Sequence, residues 1–405
     1  MMHTQPAGGF APAARRRDPL RLVGVVVMAV VLVVSGGVIA ANASGGDSLF
    51  PAKWDPRIAP IAKQVEKLRG LKFKHPVDVK FLSVKEFEQE VGVDESQLTD
   101  EDRADMKQQE RMLRAIGWID SDTDLLKAID TSQKSGVLAF YDPDRKEVFV
   151  RGSKLDAQRR VTLAHELTHV LQDQHFDLNE LQEKAAESRT SDSSVLRGLI
   201  EGDANRIEDL YLEKLPAKDK AEHERLIAAE GKRVESESGD VPEIVEFVFG
   251  APYAFGPPNA TVLAEAGGNA AINDALTGPV PTSRMFIQPG FVSKGVEVEE
   301  PQIPAGATPV GEDAAMGAFD VYLLLASQID AVQALSAADG IAGGRQTIFE
   351  KGKQVCTRVE LAADSRDAAT VARRALREWA KARPKEASVK VFDQELGFEA
   401  CDPGK

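Results

Sequence analysis

The chain is 405 residues long and carries a net charge of −14, with 43% hydrophobic and 28% charged residues. That length allows about two domains with a sizeable core, in the composition of an ordinary folded body. Beyond residue 47 no basic run exists to meet phosphates, which argues against nucleic acid as a partner.

Residues 1–14 are rich in Ala, Gly and Pro and read as disordered, part of a basic tail over 1–21 that ends in Arg15-Arg-Arg-Asp-Pro-Leu-Arg21. Residues 22–43 follow without a charge, a run long enough to cross a bilayer. The basic flank puts the N-terminus in the cytoplasm and the body outside. The rival reading is a cleaved signal peptide, since Ala41-Asn-Ala43 fits a small-residue cleavage site. Either way residues 44–405 are exported, with 44–50 as a linker and the membrane as a partner through residues 22–43.

In the body, Arg57 to Leu71 has the spacing of a helix (Ile58, Ile61, Val65, Leu68), and Val77 to Leu82 alternates like a strand. Val84 to Ile116 is highly charged and mainly helical, and reads as a solvated face. It is also a stretch that could block the site in the manner of a propeptide, which the sequence does not decide. Val137 to Val150 reads as a β-hairpin turning at Asp142-Pro-Asp-Arg145.

The stretch Val161 to Gln174 then holds His165-Glu166-x-x-His169. On a helix, residues four apart share one face, so both imidazoles can reach one ion while Glu166 stands beside an open coordination position. Ser153-Lys-Leu-Asp156 reads as a capping box opening a helix of about five turns. Leu163, Leu167, Val170 and Leu171 form an apolar stripe opposite the histidines. The competing reading is two ordinary histidines on an amphipathic helix. His175 falls on a different face, as a helix-end residue.

Val195 to Tyr211 is the next helical stretch, with Glu201 on the flank of its apolar stripe and Asn205 one turn further on. Two His and one Glu leave a fourth position open, as in a catalytic rather than a structural zinc site. Gly202 fits a place where two helices approach closely. Asp203 projects into the apolar stripe, where a buried carboxylate needs a partner. That partner is either the metal site or a nearby arginine in a core salt bridge.

His165-Glu-Leu-Thr-His169, followed 32 residues later by Glu201, resembles the gluzincin type of zinc metallopeptidase. The longer strings His-Glu-Leu-Thr-His-Val-Leu-Gln-Asp-Gln and Leu-Ile-Glu-Gly-Asp-Ala resemble membrane-anchored or secreted bacterial HExxH proteins. The resemblance is specific over about residues 137–212. It implies zinc at His165, His169 and Glu201, with Glu166 as general base and a peptide or protein as substrate. It also implies an α+β, zincin-like body, in which a small sheet with an edge hairpin packs on the HExxH helix and a Glu-bearing helix. The edge strand would hold the substrate backbone. In such proteins an Asp often stands four residues after the glutamate and hydrogen-bonds a ligand histidine; here that position is Asn205, and Asp203 is its rival.

Further on, residues 216–239 read as a charged helical insertion carrying His223. Pro242 to Pro289 is rich in Gly and Pro and reads as loops lining the site. A peptidase needs an oxyanion donor, for which Tyr253, Tyr211 and Arg284 are available and the sequence does not choose. Residues 290–310 read as a connector, leaving a catalytic body over 51–300 and a C-terminal α+β unit over 301–405. That unit is expected to run helix (Ala315 to Leu335), strand (Gln346 to Glu350), strand (Gln354 to Leu361), helix (Asp367 to Ala382), strand (Ser388 to Phe392). Cys356 and Cys401 are the only cysteines; in an exported chain they pair to tie the C-terminus to a strand, or else remain free thiols. The expected function is a zinc-dependent peptidase of the cell envelope. Its rivals are a binding or scaffold protein with a vestigial or structural metal site, and a hydrolase of non-peptide bonds.

Overall fold

The computed structural model describes residues 50–405, except 191–192, 240, 292–294, 311–312, 384–387, 403 and 405. The expected tail, membrane span or signal and most of the linker lie outside the described residues. Among the described residues no helix is long and apolar enough to cross a membrane. The chain is mixed α and β, with 56% helix and 14% strand.

The first elements are α1 (Ala59–Arg69), β1 (Asp78–Leu82), α2 (Val84–Val91), α3 (Asp100–Ile116) and α4 (Leu125–Gly136). The hairpin strands β2 (Ala139–Asp142) and β3 (Glu147–Arg151) follow. Asp142 Oδ1 accepts from the N–H groups of Asp144 and Arg145, both at 2.9 Å, which folds the turn. The sheet runs β1-β3-β2, with β1 parallel and β2 antiparallel to β3, so β2 is an edge. Alternation splits the hairpin between two cores: Ala139, Tyr141, Val148 and Val150 face α1 and the site helices, while Phe140 and Phe149 pack on Phe87 and Val91 of α2.

Next come α5 (Ala157–Phe176), α6 (Leu178–Ala186), α7 (Ser193–Lys214) and α8 (Ala217–Glu237). The start of α5 differs from expectation: Asp156 alone is the cap, its side chain accepting from Arg159 N, and no Ser153 box forms. The one-sided apolar stripe is also corrected. Every residue from Val161 to Asp173 is buried, because the sheet and α1 cover one side and α7 packs on the polar side.

Pro242 to Pro289 is not a set of loops. It forms α9 (Glu243–Thr277), interrupted by non-helical dihedrals at Gly267 and Gly268, and the short α10 (Arg284–Ile287). Pro252, Pro257 and Pro258 lie inside that helix, each removing one backbone donor. Burial against α7 outweighs the local propensity. The glycines are contact residues: a Cβ on Gly202 would lie 2.4 Å from Gly256 O, and one on Gly256 only 2.2 Å from Gly198 O. Gly202→Ala is therefore expected to lower stability by about 1–3 kcal/mol through overpacking. Gly250→Ala, whose Cβ meets nothing within 4 Å, is expected to leave it unchanged or slightly higher. Thermal melts of both variants read the difference; equal melting temperatures would remove the close-contact explanation.

The C-terminal layer contains β4 (Thr308–Pro309), β5 (Ala314–Ala315), α11 (Ala318–Ala326), α12 (Ala331–Ala338), β6 (Ile341–Lys351), β7 (Gln354–Ala363), α13 (Arg366–Ala382), β8 (Ser388–Val391) and β9 (Gly397–Cys401). The single helix expected over Ala315 to Leu335 is two, because Asp330 caps a new start by accepting from Val332 N and Gln333 N. The sheet order is β4-β6-β7-β9-β8, with β5 also on β6. The last strand, β9, was not expected; it slots between β7 and β8, placing Cys401 opposite Cys356, and the two form a disulfide. The expectation of a solvated Val84 to Ile116 is corrected for α3. Met112, Ala115 and Ile116 join the core under this sheet with Trp379 and Phe398, and Arg111 and Arg114 ion-pair with Asp402. Its charges serve that docking.

Candidate metal centre

Two helices and a third neighbour bring the site together. α5 presents His165 and His169 one turn apart, and α7 presents Glu201 across from them. His165 Nε2 lies 3.0 Å from His169 Nε2 and 3.1 Å from Glu201 Oε2, and His169 Nε2 lies 3.3 Å from that same oxygen. Four-coordinate zinc with bonds near 2.0–2.1 Å spaces its ligand atoms about 3.3 Å apart, close to these separations.

The groups behind the ligands decide which atoms are free to bind. Gln172 Nε2 donates to Ile200 O and to Asp203 Oδ2, both at 3.0 Å, which turns its Oε1 toward His169. That oxygen accepts from His169 Nδ1 at 2.9 Å, so the lone pair of His169 sits on Nε2, facing the centre. His165 Nδ1 is held in the same way by Glu208 Oε2 at 3.2 Å. Three carboxylates, Glu166, Glu201 and Glu208, surround two imidazoles, and the centre requires positive charge. Without a metal, burial pulls His165 down but hydrogen bonds to Glu201 and Glu208 outweigh it and hold it well above the usual histidine range. Burial opposes ionisation of Glu201 too, yet His169 and His165 keep it well below the ordinary carboxylate range. His165, His169 and Glu201 are buried, and their ligand atoms lie mutually within 4.8 Å: these residues can hold a metal ion.

Glu166 stands beside them, 1% exposed. Its Oε2 accepts from Tyr141 N of the edge strand at 2.9 Å, while Oε1 has no hydrogen-bond partner among the described residues. Burial pushes this carboxyl up to about 7, against the lowering pull of His165 and His169. Oε1 is thus a buried carboxylate oxygen without a donor among the described residues, next in sequence to the candidate ligand His165.

The three oxyanion candidates separate. Tyr253, from α9, donates its hydroxyl to Glu201 Oε1 at 3.0 Å and belongs to the site. Tyr211 lies in the core with α1 and α5. Arg284 pairs with Asp364 and Asp339 in the C-terminal layer. Asn205 does not meet a histidine; its amide donates to Glu201 O, one turn back on its own helix, at 3.0 Å. The support expected of it comes instead from Glu208, one further turn along the same face. Asp203 forms the core salt bridge, with Arg69 at 2.6 Å and Arg206 at 3.1 Å, and reaches His169 only through Gln172. His175 donates to Lys72 O at the end of α5, and His75 stacks on Phe50; neither is a ligand.

Three residues of the site were not singled out from sequence: Gln172, Glu208 and Tyr141. Glu208 had a signal, since it is seven residues after Glu201 and shares its helical face. Gln172 is likewise three residues after His169. Tyr141 contributes a backbone N–H, which carries no sequence signature. Comparison of the chain with family models, curated proteins and solved structures finds no match.

Proposed function

We propose that the chain is a zinc-dependent peptidase of the gluzincin type, with a zincin-like body. The observation that carries this reading is the convergence of His165, His169 and Glu201 beside a buried Glu166 with one oxygen unpartnered among the described residues. Zinc, when bound, would supply Lewis-acid polarisation and lower the pKa of water toward ~7. Glu166 Oε1 takes the proton of the attacking water and later passes it to the leaving amine, while Tyr141 N–H holds Oε2 in place. Tyr253 turns its hydroxyl from Glu201 toward the developing oxyanion. The edge strand β2, beside α5, is where the substrate backbone would lie. Export to the cell envelope through residues 22–43 is part of the proposal, and the disulfide supports an oxidising compartment.

The test is metal stoichiometry of the purified chain beside His169→Ala and Glu201→Ala. About one zinc per parent chain, lost in both variants, is the expected result. Zinc retained without Glu201 would mean that another group is the third ligand.

A second reading, a binding or scaffold protein with a structural metal, is favoured by one observation. His165, Glu166, His169, Glu201 and Tyr253 are each no more than 8% exposed, so a substrate reaches them only if the site opens. Chelator-sensitive cleavage of a peptide library that disappears in Glu166→Gln would decide against it.

A further inference from the structure

α7 carries one more group on its site face. Arg197 lies four residues before Glu201, and Glu208 seven residues after it, so at 100° per residue all three fall within about 40° of one line along the helix. Glu208 is the end of that row that supports His165. Arg197 is the other end, about 6 Å along the axis from Glu201. It is half-buried, in contrast to the closed centre below it.

Its lack of a partner sets it apart. In this acidic chain the neighbouring arginines are matched: Arg189 with Glu297, Arg206 with Asp203. No hydrogen bond or ion pair is made by Arg197 among the described residues. A guanidinium is always charged, and one drawn partly out of water is ordinarily paired with a carboxylate or phosphate.

We propose that Arg197 anchors a carboxylate of the substrate, one helical turn from Glu201 on the same face of α7. The carboxylate is the C-terminal one of a peptide or an acidic side chain near the scissile bond. Binding it completes the only unmatched charge on this face of α7 among the described residues and fixes which bond of the peptide faces Glu166. This deepens the peptidase reading and rests on it for the nature of the substrate.

The experiment measures binding, by calorimetry, on the full chain carrying Glu166→Gln, so that turnover does not intervene. The probes are three versions of one N-acetylated hexapeptide: free acid with a neutral sequence, C-terminal amide of the same sequence, and amide with one internal Gln replaced by Glu. The free acid, or the Glu-bearing amide, is expected to bind at least tenfold more tightly than the neutral amide, and which of the two does so identifies the source of the carboxylate. Adding Arg197→Ala or Arg197→Gln is expected to abolish the preference, and Arg197→Lys to keep part of it. The proposal is overturned if all three probes bind alike, if none binds, or if the preference survives Arg197→Ala. A parent chain that shows the preference yet never cleaves would sink the peptidase reading and leave the anchor standing.

Discussion

Glu166→Gln is expected to lower peptide turnover by roughly 10²–10⁴-fold, the usual worth of a positioned general base. The substitution is nearly isosteric. The amide oxygen can still accept from Tyr141 N–H, which now holds Oε2 at 2.9 Å. What changes is the other atom: an NH2 replaces an Oε1 that has no partner among the described residues, and an amide cannot take a proton from water. Metal content should stay at the parent level, because His165, His169 and Glu201 are untouched. Initial rates on a peptide library, with and without chelator, and metal analysis of the same samples make the check. Full chelator-sensitive activity in the variant would remove Glu166 from the mechanism.

Asp203→Ala is expected to cost about 3–5 kcal/mol, the range for removing one partner of a buried ion pair. Asp203 and Arg69 are both 0% exposed and meet at 2.6 Å. Without the carboxylate, Arg69 keeps only Asn273 as a hydrogen-bond partner among the described residues, where its Nη1 already has none. Arg206 also loses its charge partner, and Gln172 loses one of the two acceptors that orient it toward His169. A second effect therefore accompanies the first: metal affinity should fall about 10–100-fold, the typical consequence of disturbing a ligand's outer partner. Denaturant midpoints at constant slope give the stability change, and a competition titration with a chelator gives the affinity. A loss of under 1 kcal/mol would show that Arg206 and solvent can carry the site without Asp203.

The cluster that can hold a metal was readable because helical spacing alone sets which residues share a face. His165, His169 and Glu201 needed only the period of α5 and α7, and the hairpin before α5 needed only alternation and its Asp-Pro-Asp-Arg turn. The partners behind the ligands were less readable. Asn205 occupies the position expected to orient a histidine, yet a carboxylate on the next turn does so; choosing between Asn205 and Glu208 requires knowing how α7 is rotated against α5. The error over Pro242 to Pro289 has the same origin. Gly and Pro are local breakers, but Gly198, Gly202 and Gly256 let two backbones meet, and that contact outweighs propensity. Tyr253 could be selected among three candidates only once α9 was known to be a helix lying on α7. In the C-terminal layer, β9 is a five-residue strand whose partners lie on both sides of it, and the alternation of so short a segment, Gly397 to Cys401, is too weak to stand out.

The Cys356–Cys401 link joins residues 45 apart, and the chain it encloses includes α13, β8 and β9. Closing a loop of that length withholds about 4 kcal/mol of disorder from the unfolded chain. That contribution exists only while the sulfurs are oxidised. The C-terminal sheet, and α3 docked on it, would therefore hold together more tightly in an oxidising compartment than in a reducing one. Part of the stability of the chain depends on the redox state around it, and a chain with its two thiols reduced would be the looser of the two.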